Sequence, residues 1–464
     1  MIILGTNSIK DTGYDVANSA NFESANSQAL SRDYTGTHSD ANQGTWSMWI
    51  KRTKLATRMK VFGAYVSGNA SGQNLEFQAN DTMRYRAGSG SSDINITDAV
   101  FRDTSAWYHI VIQQDSDASG AANQVKIWVN NVQQSLSTNN GAPGVIQFGA
   151  ANTTAGSLIG VEESAGNDKY GDFYMCEFAY CDGQKLDPTS FGEYAEDTSS
   201  WQAKDLSTLT FGNQGVWLDF ETSGTMGNDV SGNNNDFATE DNAVEQRTDT
   251  CTNNFATLNP LNSTGNGTEP TYSEGNLQSV SPSSGGGFVG SSTIGVSSGK
   301  WFFELQRSAG SSTNIYIGIG DEKQTSEIAR QSASAVFIGN AVYYKPDDGN
   351  KIIVTNGSGA ETSYGATYGN GDKIGIALNM DDNQVTFYKN GASQGVISIP
   401  TPDGFCFLNI VNGADTADTF QINFGSPPYS ESGGNSDGNG YGNYSMSVPS
   451  GYFSLNTKNL AEYG

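Results

Sequence analysis

Apolar and polar side chains alternate residue by residue through almost every apolar run of this chain. A period of two places successive side chains on opposite faces of an extended backbone, so the pattern dictates strands and excludes long amphipathic helices. In TWSMWIKR, Trp46, Met48 and Ile50 share one face, and Ser47, Trp49 and Lys51 share the other. The same alternation runs through KVFGAYVSG, AWYHIVIQQD, KWFFELQR, NIYIGIG and GDKIGIALNM. One phrase occurs twice: NQVKIWVNNVQQSL at 123–136 and NQVTFYKNGASQGV at 383–396. Each copy alternates, then turns on Asn-Asn or Asn-Gly, the signal for a two-residue hairpin. The flanking strands do not align, so the echo predicts two β-sandwiches of one general kind rather than a duplicated segment.

Length and composition fit that reading. A chain of 464 residues exceeds one ordinary core, which predicts two domains with connectors. Its 56 glycines and frequent Asn, Ser and Thr between short apolar runs supply many turns, as all-β chains require. With 24 Lys+Arg against 49 Asp+Glu the formal charge is −25, the wrong sign for phosphate backbones, so no nucleic-acid partner is expected. No run reaches the length of a membrane span, and MIILGTNSIKDTGY lacks a basic n-region and cleavage site. No membrane insertion and no secretory signal are therefore expected. Asn-x-Ser/Thr triplets such as Asn69-Ala-Ser fall to chance in so Asn- and Ser-rich a chain. Cys176 and Cys181 lie five apart in FYMCEFAYCDGQ, on opposite faces of one strand, which excludes a bridge between them. Cys251 and Cys406 are isolated in sequence, and no disulfide framework or zinc knuckle is present.

The alternation divides the chain into an all-β fold of two antiparallel β-sandwich (jelly-roll-like) domains. The first sandwich is expected at 1–195 and the second at 286–425. An extended, mostly irregular connector fills 196–285 and an extended segment fills 426–464. So long an irregular stretch is expected to be clamped against a domain surface rather than to hang free.

From GKWFFELQ through YIGIGDE to SYGATYGNGDKIGIALNMDDNQVTFYKNGASQGV, the second region (286–425) resembles the SPRY domain. The resemblance implies a bent antiparallel sandwich that binds partners through loops at one end, here Asp321–Ala335 and Tyr343–Asn350. Over 15–195, TWSMWIKR, AWYHIVIQQ, QVKIWVNNVQQ and GDFYMCEFAYCDGQ resemble a laminin-G or concanavalin-A-like sandwich, a family with glycan-binding, calcium-binding and purely structural members. DGQKLDPTSFGEY, DVSGNNNDF, TNNFATLNPL and VPSGYFSLNTKNL resemble segments of tailed-phage structural proteins, many from marine cyanophages, in which a laminin-G-like domain precedes a SPRY domain. That resemblance implies a virion surface component made in a bacterial cytoplasm and released at lysis.

Catalysis finds little purchase in the residues. A glycoside hydrolase needs two carboxylates about 5–5.5 Å apart for retention and farther for inversion. No Glu-x-Asp-x-x-Glu strand is present, and in VEESAGNDKYGD the adjacent Glu162 and Glu163 fall on opposite faces. His38 lies in a polar loop, and His109 alternates with Trp107 and Val111 on a strand, the pattern of a packed histidine; neither stands beside a nucleophile signature. SSGGGFVG leads into a strand, not a helix, so it is no phosphate loop. No catalytic residue is assigned, and the chain reads as no enzyme.

Two sets of binding residues remain. Asp229, Asn233, Asn235 and Asp236 in NDVSGNNND offer oxygen ligands of the kind calcium takes, although Asx turns use the same residues without metal and the twelve-residue loop with its terminal Glu is missing. Asp381 and Asp382 read as a hairpin turn. Trp49, Trp128, Tyr343 and Tyr344 offer ring faces that match a pyranose, unless a connector or neighbouring subunit covers them, and Asp347 and Asp348 lie in the same loop as the tyrosines. The expected function is a surface fibre or appendage, tail or capsid, adhering to host glycans; no cofactor is expected, and calcium is the one ion these residues offer to hold. A decoration protein contacting other virion proteins, and a polysaccharide depolymerase, are the alternatives. A homo-oligomer is expected, but not through a coiled coil, because no heptads occur.

Overall fold

The computed structural model describes residues 13–64, 72–88, 93–151, 156–161, 169–195, 199–262, 269–283, 288–327, 337–413, 416–428 and 433–464. The chain divides into two compact units that meet in sequence between Asn254 and Phe255. The segment expected as a connector is thus shared out: residues up to 254 fold with the first sandwich, and those from 255 onward with the second.

In the first unit, among the described residues, two eight-stranded antiparallel sheets face each other. One runs Val132–Gln133, Val125–Val129, Tyr108–Asp115, Gln43–Arg52, Phe173–Asp182, Ser19–Phe22 and Glu245–Arg247, with Val216–Leu218 also on Phe173–Asp182. The other runs from Leu136–Asn139 through Ile94–Val100, Thr82–Arg86, Asn74–Phe77, Met59–Ala64, Ser157–Ile159 and Leu30–Arg32 to Ala238–Thr239. Trp46, Met48 and Ile50 enter the core between them, as the alternation requires, and the Trp46 ring stacks 4.8 Å from Tyr180 and 5.6 Å from Phe62.

Phe173–Asp182 breaks strict alternation. Cys176 faces Trp49 and Ala179 faces Ser47 across the ladder, so Glu177 and Phe178 together oppose Met48. This is a β-bulge, and Glu177 adopts a left-handed φ of 51° to make it. The phase therefore slips by one residue. Met175, Phe178 and Tyr180 point into the core, whereas Cys176, Ala179 and Cys181 share the outer face. The expectation that Cys176 and Cys181 lie on opposite faces is corrected by that bulge. Cys251, expected to stand apart, packs in the same apolar cluster as Cys176.

In the second unit an eight-stranded sheet runs Thr271–Ser273, Gln278–Val280, Thr419–Asn423, Lys300–Ala309, Lys373–Asn379, Gln384–Lys389 and Ala392–Ser398, with Phe453–Ser454 pairing parallel to Lys300–Ala309. The facing sheet, among the described residues, has six strands: Phe288–Ser291, Cys406–Asn412, Ile315–Asp321, Ala341–Tyr344, Asn350–Thr355 and Ser358–Ser363. Trp301, Phe303 and Leu305 meet Ile315, Ile317 and Ile319, and Ile374, Ile376 and Leu378, in one core.

The repeated phrase has one physical meaning. Asn130 and Asn131 turn the first hairpin at φ 49° and 63°, and Asn390 and Gly391 turn the second at 47° and 85°. Two consecutive left-handed residues make the turn whose twist suits a tight hairpin. Thr457–Tyr463, expected to be extended, is a helix capped by the Asn456 side chain, which accepts from the Asn459 amide. Among the described residues, no helix is long and apolar enough to cross a membrane.

Candidate binding surfaces

Both units carry a third layer on the outside of a sheet, and in the first unit it decides the fate of the two tryptophan candidates. In the first unit the chain after residue 199 returns over the outer face of Gln43–Arg52, Tyr108–Asp115 and Phe173–Asp182. Trp49 is buried there with Trp107, Tyr174 and Trp201, its ring stacked 4.6 Å from His109. Trp128 is buried with Val111, Leu206, Phe211 and Trp217. Neither ring offers a face to a sugar. Tyr343 and Tyr344 are buried on the two faces of their sheet. Tyr343 packs with Tyr316 and Phe337, and Tyr344 packs 4.7 Å from Tyr368 while donating to the Ala366 carbonyl. The four aromatic rings proposed from sequence are packed: residues from 201 onward cover the two tryptophans, Phe337 covers Tyr343, and Tyr364 and Tyr368 cover Tyr344.

The proposed calcium residues form a closed hydrogen-bond network. Asp229 Oδ1 accepts the amides of Trp217 and Ser231 at 3.0 and 2.9 Å, and Oδ2 accepts the Asn235 amide and the Ser231 hydroxyl at 2.7 and 2.9 Å. Asp236 accepts the Asp229 amide at 2.8 Å. Asn233 and Asn235 turn their NH₂ groups inward, onto the carbonyls of Gly212, Asn213 and Gly215. Amide donors face where a cation would need oxygens, and Asp229 has given its lone pairs to N–H and O–H groups. These are Asx turns that tie 229–236 to 212–217, within the covering layer. Among the described residues, no group of three acidic, His or Cys side chains could hold a metal ion.

Asp347 and Asp348 remain at the surface around one cation. Lys345 Nζ lies 3.1 Å from Asp348, 2.9 Å from Glu361 and 3.9 Å from Asp347. Burial alone would lower its pKa, but hydrogen bonds to Glu361 and Asp348 outweigh it and push the ammonium up to about 12. Of the two loops expected to carry specificity, residues 328–336 lie outside the described residues.

An open groove that the sequence did not reveal lies in the same unit. It has a volume of about 510 Å³ and is lined by Asn340, Thr355, Asn356, Ser398, Ile399, Pro400 and Thr401. Asn340 braces its walls: Nδ2 donates to Asp321 at 2.9 Å and to the Thr401 carbonyl at 3.2 Å, and Oδ1 accepts the Asn356 amide at 3.0 Å. Asp321, fully buried, also accepts the amides of Gln324, Asn340 and Asp403. The groove's lining mixes the apolar Ile399 and Pro400 with hydroxyls and carboxamides. Among the described residues no charged side chain lines it, so it suits a neutral polar ligand.

The groups that could do chemistry are tied into packing. His109 Nε2 lies 2.9 Å from the Ser47 hydroxyl, a pairing that resembles half of a nucleophile relay. However, the Trp201 indole donates to His109 Nδ1 at 2.9 Å, so the ring proton sits on Nε2 and is given to Ser47. Burial lowers the imidazole to about 3, which keeps it neutral. Glu177 accepts from Trp217 Nε1 at 2.7 Å and from the Tyr14 hydroxyl at 3.3 Å. Burial pushes its carboxyl up to about 8, yet Trp217 roofs it and it is only 2 % exposed. Glu162 and Glu163 lie outside the described residues.

Family comparison agrees with the architecture. Residues 23–184 match the concanavalin A-like lectin/glucanases superfamily, in its laminin-G form, and residues 300–426 match the SPRY domain. A concanavalin A-like domain comes first and a SPRY domain follows it. No curated protein matches the chain. Among solved structures, the human HERC1 SPRY domain is 15% identical, with 36% of this chain and 96% of that one covered and a TM-score of 0.29. A proposed carbohydrate-binding protein of Bacteroides ovatus is 14% identical, with 51% and 60% covered and a TM-score of 0.35. The SAP-like pentraxin of Limulus polyphemus is 12% identical, with 50% and 96% covered and a TM-score of 0.30. Laminin-G-like and SPRY-like domains are, as a rule, binding modules rather than catalysts.

Proposed function

We propose that the chain is a non-enzymatic adhesion protein on the surface of a tailed-phage virion, a tail or capsid fibre that touches host glycans through the loop end of its second unit. The observation that carries the binding reading is the open, uncharged groove at Asn340, Thr355–Asn356 and Ser398–Thr401. Hydroxyl and carboxamide groups beside Ile399 and Pro400 match the polar edges and apolar face of a neutral sugar. The lectin-like and SPRY-like order, together with the phage-like phrases of the connector and C-terminal segment, supports the virion setting. Single weak contacts become effective when many copies share one particle.

Immunogold labelling of intact particles, with binding of the purified chain to host cells, tests both halves. Gold at fibres or tail, and saturable cell binding weakened by Thr401→Arg in the groove, are expected. An even capsid coat without cell binding would instead favour a decoration protein whose partners are other virion proteins. Absence of the chain from washed particles would overturn the virion setting.

A further inference from the structure

On the outer face of the first unit, three polar side chains meet in an otherwise apolar cluster. Lys51 leaves the Gln43–Arg52 strand and is 1% exposed; Asp249 is 1% and Asn254 2% exposed. Lys51 Nζ lies 2.7 Å from Asn254 Oδ1 and 2.8 Å from Asp249 Oδ2. The Trp107 indole donates to Asp249 Oδ1 at 3.3 Å, and Asn254 Nδ2 donates to the Ser105 carbonyl at 2.7 Å. Trp49, Trp107 and Tyr174 form the apolar surroundings.

We propose that Lys51 and Asn254 join in an intramolecular isopeptide bond, with Asp249 carrying the proton. An amine and a carboxamide carbonyl held at hydrogen-bond distance have already lost the freedom that makes amide exchange slow in solution. The apolar surroundings keep bulk water away from the pair, and Asp249 Oδ2, 2.8 Å from Nζ, is placed to receive its proton. The freed Nζ lone pair attacks Asn254 Cγ, and the Nζ–Cγ bond forms. The Cγ–Nδ2 bond breaks as Nδ2 takes the first proton from Asp249 and leaves as ammonia, while Nζ gives its second proton to the carboxylate, so that the product is a neutral amide beside a protonated Asp249. One amide replaces another and one ammonia is released, so neither oxidant nor cofactor is consumed. Excluded water then protects the product from hydrolysis.

The molecule holds its own control. Lys60 Nζ lies 2.8 Å from Asn74 Oδ1 and 2.7 Å from Glu76 Oε2, with the same three kinds of group. There, however, Arg58 and Arg84 also hold Glu76, at 2.9 and 2.6 Å. Burial would raise that carboxyl, but Lys60, Arg84 and Arg58 outweigh burial and hold it below its usual range. A carboxylate fixed by two guanidinium groups cannot take up the lysine proton, so Lys60 and Asn74 stay unjoined.

Intact-mass measurement of the purified full chain, with subsequent peptide mapping, tests the bond. The folded chain is expected to be lighter than its sequence by one ammonia, with a branched peptide joining the segments of Lys51 and Asn254. A succinimide at an Asn-Gly pair loses the same mass but gives no branch. Asp249→Asn and Lys51→Arg are expected to remain at full mass. Wild-type chain whose Lys51 and Asn254 appear only in separate linear peptides after long incubation would overturn the bond. A branch through Lys60 and Asn74 would overturn the role given to the carboxylate.

Discussion

The two units solve one problem with different materials. Each leaves an outer sheet face that a covering segment must hide. In the first unit the cover brings large side chains: Trp201, Leu206, Phe211 and Trp217 settle on Trp49, Val111 and Trp128. In the second the cover begins with GGNSDGNGYGNYSMS at 433–447, which is poor in apolar residues, and buried carboxylates hold it. Glu304 accepts the amides of Ser445 and Met446 and the Ser445 hydroxyl. Asp437 accepts the amides of Asn439, Tyr441 and Ser454 and the Asn459 carboxamide. Tyr444 and Met446 then reach Phe302 and Ala377. A cover rich in tryptophan is held by burial, whereas one rich in glycine and asparagine needs fixed acceptors for its backbone.

The comparison breaks most sharply at Trp217. Trp217→Ala empties a large buried volume and strips Glu177 of a donor, so a loss of about 3–5 kcal/mol is expected. Hydrogen exchange should rise across 199–254 and stay unchanged across 433–464. Glu304→Ala should do the reverse. It orphans three donors, the buried Met446 amide and the half-buried Ser445 amide and hydroxyl, at a cost of about 1–3 kcal/mol, and limited proteolysis should then cut 433–456 first. Exposure of both covers in either variant would mean that the division of labour is wrong.

Acidity separates the units further. Glu177 titrates near 8 in the folded first unit against an ordinary 4.5, so folding favours its protonated form. That contribution is full below about pH 4.5 and is lost as pH rises through about 8. His109, lowered to about 3, acts oppositely: its contribution is present above about pH 6.5 and is lost as pH falls toward 3. Urea midpoints of the first unit should therefore peak between these limbs. Glu177→Gln should flatten the alkaline limb alone; an unchanged limb would clear Glu177 of responsibility. Smallest of all is the effect of a chelator. If 229–236 are Asx turns, EDTA should leave the thermal midpoint where it was, and a clear drop would restore calcium to that loop.

Much of this architecture was legible in the alternation. Trp46, Met48 and Ile50, and likewise Trp301, Phe303 and Leu305, lie where period two put them, and both Asn turns formed their hairpins. What alternation could not give is what lies across an outer face. Trp49 read as a ring either open to a sugar or covered by a connector or subunit, and local pattern could not decide, because its cover arrives about 150 residues later. The bulge at Glu177 was equally silent, since a left-handed glutamate has no sequence signal. Asp229 and its neighbours read as ligands or turns alike, and only the direction of the asparagine NH₂ groups separates the two. The groove at Asn340 draws on three separate loops, none distinctive alone.

The covering layer of the first sandwich also bears on how such a domain is inherited. The recognisable portion ends near residue 184, but the portion that hides Trp49 and Trp128 continues to 254. A recombination event, or a cloning boundary, that moved only the recognisable portion would deliver two greasy, adhesive patches to its new host. The piece that travels safely between genes is longer than the one that sequence comparison sees.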